Sequence, residues 1–163
     1  MSSSTAGSGR SGPAAGICSF SLSAGSVRPP RLGQAAGLNS AEGVALIGQI
    51  NQGLYGGVAD RIVEWAEIAQ SDLRKMSGIP STTFNRGVKA RFSADQSERL
   101  VRIIRVIDRT VELFEGDKEA ARKWLNEPSR ALGGKVPAEF MTSETGAYEV
   151  IKLITRLEHG VYS

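Results

Sequence analysis

Residues 93–114, "SADQSERLVRIIRVIDRTVELF", are the stretch that decides the fold. Apolar side chains recur there at intervals of three and four residues, which is typical of a helix with one continuous apolar stripe. Ser93 and Gln96 have the spacing of a capping box, in which each side chain accepts a hydrogen bond from the other residue's backbone N–H. We therefore predict one long helix at the centre of the domain, with its stripe at Leu100, Ile103, Ile104, Ile107, Val111 and Phe114.

Shorter helices are predicted on both sides of this central helix. Gly78 has the position of a left-handed residue that ends a helix, and Pro80 suits the opening of the next one. No segment shows the alternating pattern of a strand, so we predict an all-α fold. The flanking helices are expected from a cap at Asn39, over about 58–68, 71–77 and 80–90, over "KEAARKWLN" (118–126), and over about 144–158.

Residues 1–40 differ in composition from the rest of the chain. They are rich in Ser, Gly, Ala and Pro, and the first acidic residue of the chain is Glu42. Such a stretch buries too little apolar surface to offset its conformational entropy. We predict a disordered N-terminal arm.

The charge of the chain is concentrated in its middle. The net charge is +3, from 20 basic and 17 acidic residues, and three arginines of the first 41 residues account for it. Residues 72–110 contain nine basic and four acidic side chains. This distribution favours a local contact with an anionic partner over a protein that coats nucleic acid along its whole surface.

Several classes of function are disfavoured by the composition. Cys18 is the only cysteine and His159 the only histidine, so the sequence offers no internal disulfide, no metal-ligand cluster and no nucleophile–base pair. We expect no catalytic residues, no metal and no cofactor. No apolar run approaches the roughly 18 residues of a membrane span, and we expect a cytoplasmic protein without membrane association.

Residues 71–90, "SDLRKMSGIPSTTFNRGVKA", have the layout of a helix-turn-helix motif. Asparagine can bond adenine in two places, arginine can do so with guanine, and hydroxyls near a helix start reach phosphates. The inner positions are expected to be Leu73, Met76, Ile79, Phe84 and Val88. The outer, DNA-contacting positions are expected to be Ser81, Thr82, Thr83, Asn85, Arg86, Lys89 and Arg91.

Further arginines follow the motif, and we interpret them as a flanking basic face that tracks phosphates: Arg91, Arg99, Arg102, Arg105 and Arg109. The alternative is that the polar residues of the motif are simply solvated. Gly87 lies in the middle of the second helix, where it lowers helix propensity and removes a possible groove contact. On sequence alone this glycine counts against DNA binding, and whether it weakens the affinity stays open.

Residues 123–141, "KWLNEPSRALGGKVPAEFM", combine a tryptophan, two prolines and a glycine pair. Trp124 and Leu125 are expected to cover the end of the core, and Pro128 to stop their helix. Gly133 with Gly134 permits a tight reversal before Pro137 starts another turn. We interpret the segment as architectural: it turns the chain so that the last helix projects its end outward.

The pattern W-L-x-x-P, then L-G-G-x-x-P, then a helix that ends in "EHGVY" resembles the toxin-binding domain of the Xre/MbcA/ParS antitoxins, the partners of RES-type toxins. The resemblance implies a DNA-binding domain over about 41–115, a toxin-binding domain over 116–163, and a homodimer within a larger complex on operator DNA. It also implies that the end of the chain lies over the active site of an NAD-consuming toxin. The residues at that end are Glu158, His159, Gly160, Val161, Tyr162 and Ser163.

Two hypotheses follow for the function. The first is an antitoxin that neutralises its partner by occluding the active site and represses its own operon. The second is a stand-alone helix-turn-helix transcriptional regulator whose C-terminal domain only mediates dimerisation. A frayed helix end is the ordinary alternative for the C-terminal residues. Co-purification with the product of the neighbouring gene distinguishes the two hypotheses.

Overall fold

The computed structural model describes residues 30–39 and 43–160. Within these ranges the chain forms nine α-helices and one 3-10 turn, and its only β-type pairing consists of two isolated bridges. The all-α prediction is confirmed. The helices are α1 (Leu32–Ala35), α2 (Val44–Gln52), α3 (Gly57–Ala66), α4 (Gln70–Ser77), α5 (Ser81–Lys89), α6 (Ala94–Leu113), α7 (Lys118–Asn126), α8 (Pro137–Phe140) and α9 (Glu144–Glu158), with the 3-10 turn at Arg130–Leu132.

The long helix α6 lies at the centre, as predicted. Its capping box is present: the Ser93 side chain accepts from the Gln96 N–H at 3.3 Å, and the Gln96 side chain accepts from the Ser93 N–H at 3.0 Å. The predicted stripe is buried from Leu100 to Val111, Phe114 is half-buried at the helix C-cap, and Val101 and Val106 are buried in addition. The helix therefore buries more than one face, and α1, α2, α3, α4, α7 and α9 all pack against it.

One apolar core runs from Leu32 in α1 to Ile154 in α9. It includes the inner faces of the helix-turn-helix and of the last helix, so the proposed DNA-binding and toxin-binding parts share a single interior. The division of the chain at residue 115 stays a prediction from the sequence.

The N-terminal segment corrects the prediction of a disordered arm for residues 30–39. Leu32 is fully buried and Ala36 nearly so, both against the core. The Asp108 carboxylate on α6 accepts hydrogen bonds from the N–H groups of Leu32 at 2.6 Å and Gly33 at 3.1 Å, which caps the start of α1. The Trp65 indole also donates to the Pro30 carbonyl at 3.0 Å. Residues 1–29 lie outside the described residues.

Asp108 sits in an environment with opposing effects on its ionisation. Burial raises the pKa of its carboxyl group, while the two N–H donors and the nearby Arg31 guanidinium act in the opposite direction. Arg31 itself pairs with Glu112 at 3.2 Å near the surface. Asp108 thus holds the start of α1, while Arg31 pairs with a different carboxylate.

The start of α2 also differs from the prediction. We expected a cap at Asn39, whereas the helix begins at Val44 after Gly43, whose φ is +93°. Val44 and Ile47 are 86% and 58% exposed, and the buried positions of this helix are Leu46 and Ile50. Two large apolar side chains of this helix, Val44 and Ile47, therefore lie at the surface.

Replacing Asp108 with alanine should detach the N-terminal segment, because the N–H groups of Leu32 and Gly33 lose their acceptor. We expect a loss of about 1–3 kcal/mol in the free energy of unfolding, measured by urea denaturation, with faster amide exchange over residues 32–36. Arg31→Ala is the control: it removes the ion pair with Glu112 and a charge near Asp108 but leaves the acceptor of both N–H groups in place, and it should cost less than about 1 kcal/mol. Equal losses in the two variants would contradict the capping role of Asp108.

Candidate nucleic-acid interface and C-terminal site

The turn between α4 and α5 is held by specific hydrogen bonds. Gly78 has a left-handed φ of +69°, as predicted for the residue that ends α4. The buried Ser77 hydroxyl donates to the Arg74 carbonyl at 2.7 Å and accepts from the Ile79 N–H at 3.2 Å. Arg99 on α6 donates to the Gly78 carbonyl at 3.2 Å. The turn is therefore fixed from within and from the central helix.

The inner face of the motif is confirmed. Leu73, Met76, Ile79 and Phe84 are buried, and Val88 is half-buried. The rings of Phe84 and Phe92 lie 5.7 Å apart between their centroids. This packing fixes the rotation of α5 about its axis and so decides which residues face outward.

The outer face of α5 carries the polar residues that the sequence suggested. Ser81, Thr82, Asn85, Arg86 and Lys89 are exposed, and Thr83 is half-buried. Residues four apart lie on the same side of a helix, so the exposed side chains form one stripe over about 12 Å. The stripe combines hydroxyl, amide, guanidinium and ammonium groups on a single rigid helix.

Arg91 has internal partners. Its guanidinium lies 4.2 Å from the centroid of the Tyr55 ring and donates to the carbonyls of Gly53 at 2.6 Å and Gln52 at 3.3 Å. The Phe92 N–H also donates to the Leu54 carbonyl at 2.9 Å. Arg91 therefore joins the loop after α2 to the loop after α5, and this contact competes with a contact to DNA.

The arginines of α6 do not form a continuous basic face, which corrects our interpretation of them. Arg102 binds the Glu144 carboxylate at 2.8 Å, and Arg109 binds that of Glu158 at 2.6 Å. Both carboxylates belong to α9, which packs along α6. Of this group, Arg105 is exposed. Two of the positive charges assigned to phosphates are thus used to hold the last helix.

Gly87 faces the core, so the expected loss of a groove contact is also corrected. A Cβ atom at this position would lie 2.3 Å from the Phe92 ring. At Gly56 a Cβ would lie 2.0 Å from the carbonyl oxygen of Val88, where the start of α3 approaches α5. Sequence reasoning missed the packing role of Gly56, because this close contact is between segments about 30 residues apart in the chain and leaves no local pattern.

The turn of 123–141 has the predicted construction. Leu125 is buried, and the half-buried Trp124 lies 6.5 Å from the Phe114 ring between centroids. α7 ends at Asn126, and the following residue is extended, as the position before Pro128 requires. These residues close the end of the core around α6.

A glycine pair reverses the chain after Pro128. Gly133 and Gly134 have φ values of +70° and +80°. The Ser129 N–H donates to the Lys135 carbonyl at 3.0 Å, which closes the loop. Pro137 is buried and is the first residue of α8. The predicted reversal is confirmed, and it directs the chain toward α9.

The last helix lies against α6 and ends at the candidate partner site. The Ser143 side chain caps α9 by accepting from the Gly146 N–H at 3.0 Å. Of the predicted inner positions, Val150, Leu153 and Ile154 are buried and Leu157 is half-buried. At the other end His159 is the C-terminal cap and is exposed, and Gly160 has a φ of +69°. Val161, Tyr162 and Ser163 lie outside the described residues.

Within 30–39 and 43–160, no group of three or more His, Cys, Asp or Glu side chains has an arrangement that could hold a metal ion. In the same ranges, no helix combines the length and apolar character needed to cross a membrane.

The architecture defines an all-α helix-turn-helix protein with a further helical domain at its C-terminus. Residues 45–105 match the Antitoxin Xre-like helix-turn-helix domain, and residues 109–160 match the Antitoxin Xre/MbcA/ParS C-terminal toxin-binding domain. The chain belongs to the Xre family of antitoxins, which confirms the resemblance found in its sequence.

Two relatives support this membership over most of the chain. An Antitoxin Xre of Photorhabdus laumondii is 37% identical over 134 residues, which cover 81% of this chain and 90% of the relative. An Antitoxin Xre of Yersinia enterocolitica is 42% identical over 129 residues, which cover 78% and 87%.

Replacing Gly87 with alanine should destabilise the helix-turn-helix, because the new methyl group overlaps the Phe92 ring. We expect a net loss of about 1–3 kcal/mol from overpacking, measured by urea denaturation, although alanine has the higher helix propensity. The control is Gly48→Ala on α2, where a Cβ meets nothing within 4 Å. That change should stabilise the protein by up to about 1 kcal/mol. A stabilised Gly87→Ala protein would contradict the packing role of this glycine.

Proposed function

We propose that this antitoxin binds and neutralises a RES-type, NAD-consuming toxin by occluding its active site with the C-terminal end, and represses its own operon by binding operator DNA. The observation that carries the proposal is the match of residues 109–160 to a toxin-binding domain whose last helix is docked rigidly on a helix-turn-helix protein. The resemblance of "EHGVY" to the end of RES-partner antitoxins supports the identity of the toxin.

The geometry of α9 supports occlusion by the chain end. Val150 and Ile154 are fully buried against the core, so the helix cannot swing without exposing them. His159 and Gly160 continue from its last turn. We assign insertion to His159, Gly160, Val161, Tyr162 and Ser163. We assign Glu158 to anchoring, since its carboxylate binds Arg109.

The stripe on α5 supports a role in reading operator DNA. A helix of this kind fits the major groove, with side chains of its first turns toward the bases. We propose that Ser81, Thr82 and Thr83 bind phosphates at the helix start, and that Asn85 and Arg86 contact bases. Lys89, in the last turn, is assigned to a phosphate.

A homodimer is part of the proposal, because helix-turn-helix proteins commonly bind two half-sites as dimers. The exposed Val44 and Ile47 of α2 support it. This helix carries no charged residue, and depletion of charge is typical of the centre of an interface. We propose a cytoplasmic, non-enzymatic protein without a cofactor.

Ending the chain after Glu158 should abolish protection against the toxin, because the inserted residues are lost while the Arg109–Glu158 pair is kept. Toxin affinity should fall by a factor of about ten or more, as it does when central interface residues are removed. Operator binding should be unchanged. Growth protection on co-expression and isothermal titration with the RES-domain toxin of the neighbouring gene measure this effect. Full protection by the shortened chain would refute occlusion by the chain end.

Replacing Arg86 with alanine should weaken operator binding by about 1–3 kcal/mol and relax the preference at one base pair, if it reads a base. Lys89→Ala should instead lower the slope of log K against log salt concentration by about one unit. Both are measured by fluorescence anisotropy over a salt series. Lys123→Ala on α7, which removes one exposed charge elsewhere, is the control. Wild-type behaviour of both α5 variants would leave this helix without a recognition role.

A further inference from the structure

Arg109 ties the last turn of α9 to the central helix. Its guanidinium donates to the Glu158 carboxylate at 2.6 Å and to the Thr155 hydroxyl at 3.2 Å. The Thr155 hydroxyl in turn donates to the Ile151 carbonyl at 3.0 Å. About a third of the Arg109 side chain and a quarter of the Glu158 side chain are exposed, so solvent screens this pair only partly. One arginine therefore contacts two side chains of the last turn, Thr155 and Glu158.

This is the turn from which the chain end departs. The His159 N–H donates to the Thr155 carbonyl at 3.2 Å, and the Gly160 N–H donates to the Leu157 carbonyl at 3.1 Å. Helix ends fray because their last carbonyl groups lack partners within the helix, and a cation near them is favourable. At this end of α9, Arg109 binds the side chains of Thr155 and Glu158 from outside the helix, and the Glu158 carboxylate offsets its positive charge.

A second ion pair of the same chemistry joins the opposite end of α9 to α6. Arg102 binds Glu144 at 2.8 Å in the first turn, and the Arg102 side chain is only 13% exposed. Glu144 and Glu158 are 14 residues apart, or about 20 Å along the helix. Arg102 thus helps to dock α9 but has no contact with its last turn, which makes it a matched control.

We propose that Arg109 is a positioning residue that fixes the direction in which the C-terminal residues leave α9, and thereby sets the affinity for the toxin. This inference rests on the proposed function. The Arg109 Nε is buried and has no hydrogen-bond partner among the described residues, as is also true of the Arg156 Nε. A single guanidinium nitrogen, Nη2, donates to both the Thr155 hydroxyl and the Glu158 carboxylate.

The test compares full-length variants in binding to the RES-domain toxin of the neighbouring gene. Arg109→Ala should raise Kd about tenfold or more, as expected when a central contact is misplaced. Arg102→Ala should raise it less than about threefold, as for a residue outside the contact. Arg109→Lys should restore part of the affinity. Amide exchange should become faster at residues 158–160 in Arg109→Ala and stay unchanged there in Arg102→Ala.

Each outcome decides the inference. Equal losses in Arg109→Ala and Arg102→Ala would overturn it, because general undocking of α9 would then explain both. If Arg109→Ala binds the toxin with wild-type affinity while the chain ending at Glu158 fails to bind, the inference is overturned and the proposed function is left intact. Wild-type affinity of that shortened chain would overturn the proposed function itself. If Arg109→Ala does not fold, Glu158→Gln keeps the shape and removes the charge: a raised Kd supports the inference, and an unchanged Kd overturns it.

Discussion

The burial of α6 on most of its circumference is the constraint on which the rest of the structure depends. Leu100, Val101, Ile103 and Val106 are all at most 1% exposed, and at 3.6 residues per turn they span an arc of about 220° around the helix. Helices from before and after α6 in the chain must therefore cover it together. Because the helix-turn-helix and α9 both pack on this one rigid helix, they have a fixed orientation toward each other.

Close packing around α6 depends on glycines as much as on large apolar side chains. Gly56 and Gly87 let α5 approach α3 and the Phe92 ring, and Gly146 lets the first turn of α9 approach the Phe140 carbonyl, where a Cβ would lie 2.0 Å from the oxygen. A glycine within a helix lowers helix propensity. Here that cost is offset by contacts that no other residue permits, so the local rule is overridden by packing between helices.

The sequence was sufficient where the physical cause is local. The capping box of Ser93 and Gln96, the left-handed Gly78 and the reversal at Gly133 and Gly134 are all set by neighbouring residues, and all are present. It was insufficient where the cause lies far along the chain. The capping of Leu32 by Asp108 spans 76 residues, and composition alone gave no sign that this part of the arm would fold. Contacts of the candidate sites with DNA and toxin remain predictions, because their partners are separate molecules.

The arginines show that prediction of electrostatic contacts from the sequence has the same limit. A count of charges gives nine basic residues over 72–110 and favours a broad contact with phosphates. The structure engages four of them internally: Arg91 with backbone carbonyls, and Arg99, Arg102 and Arg109 with carboxylates. A guanidinium bound to a carboxylate must break or share that contact before it can neutralise a phosphate. The positive charge available to DNA is therefore concentrated on the helix-turn-helix itself, while Arg102 and Arg109 hold α9 on α6.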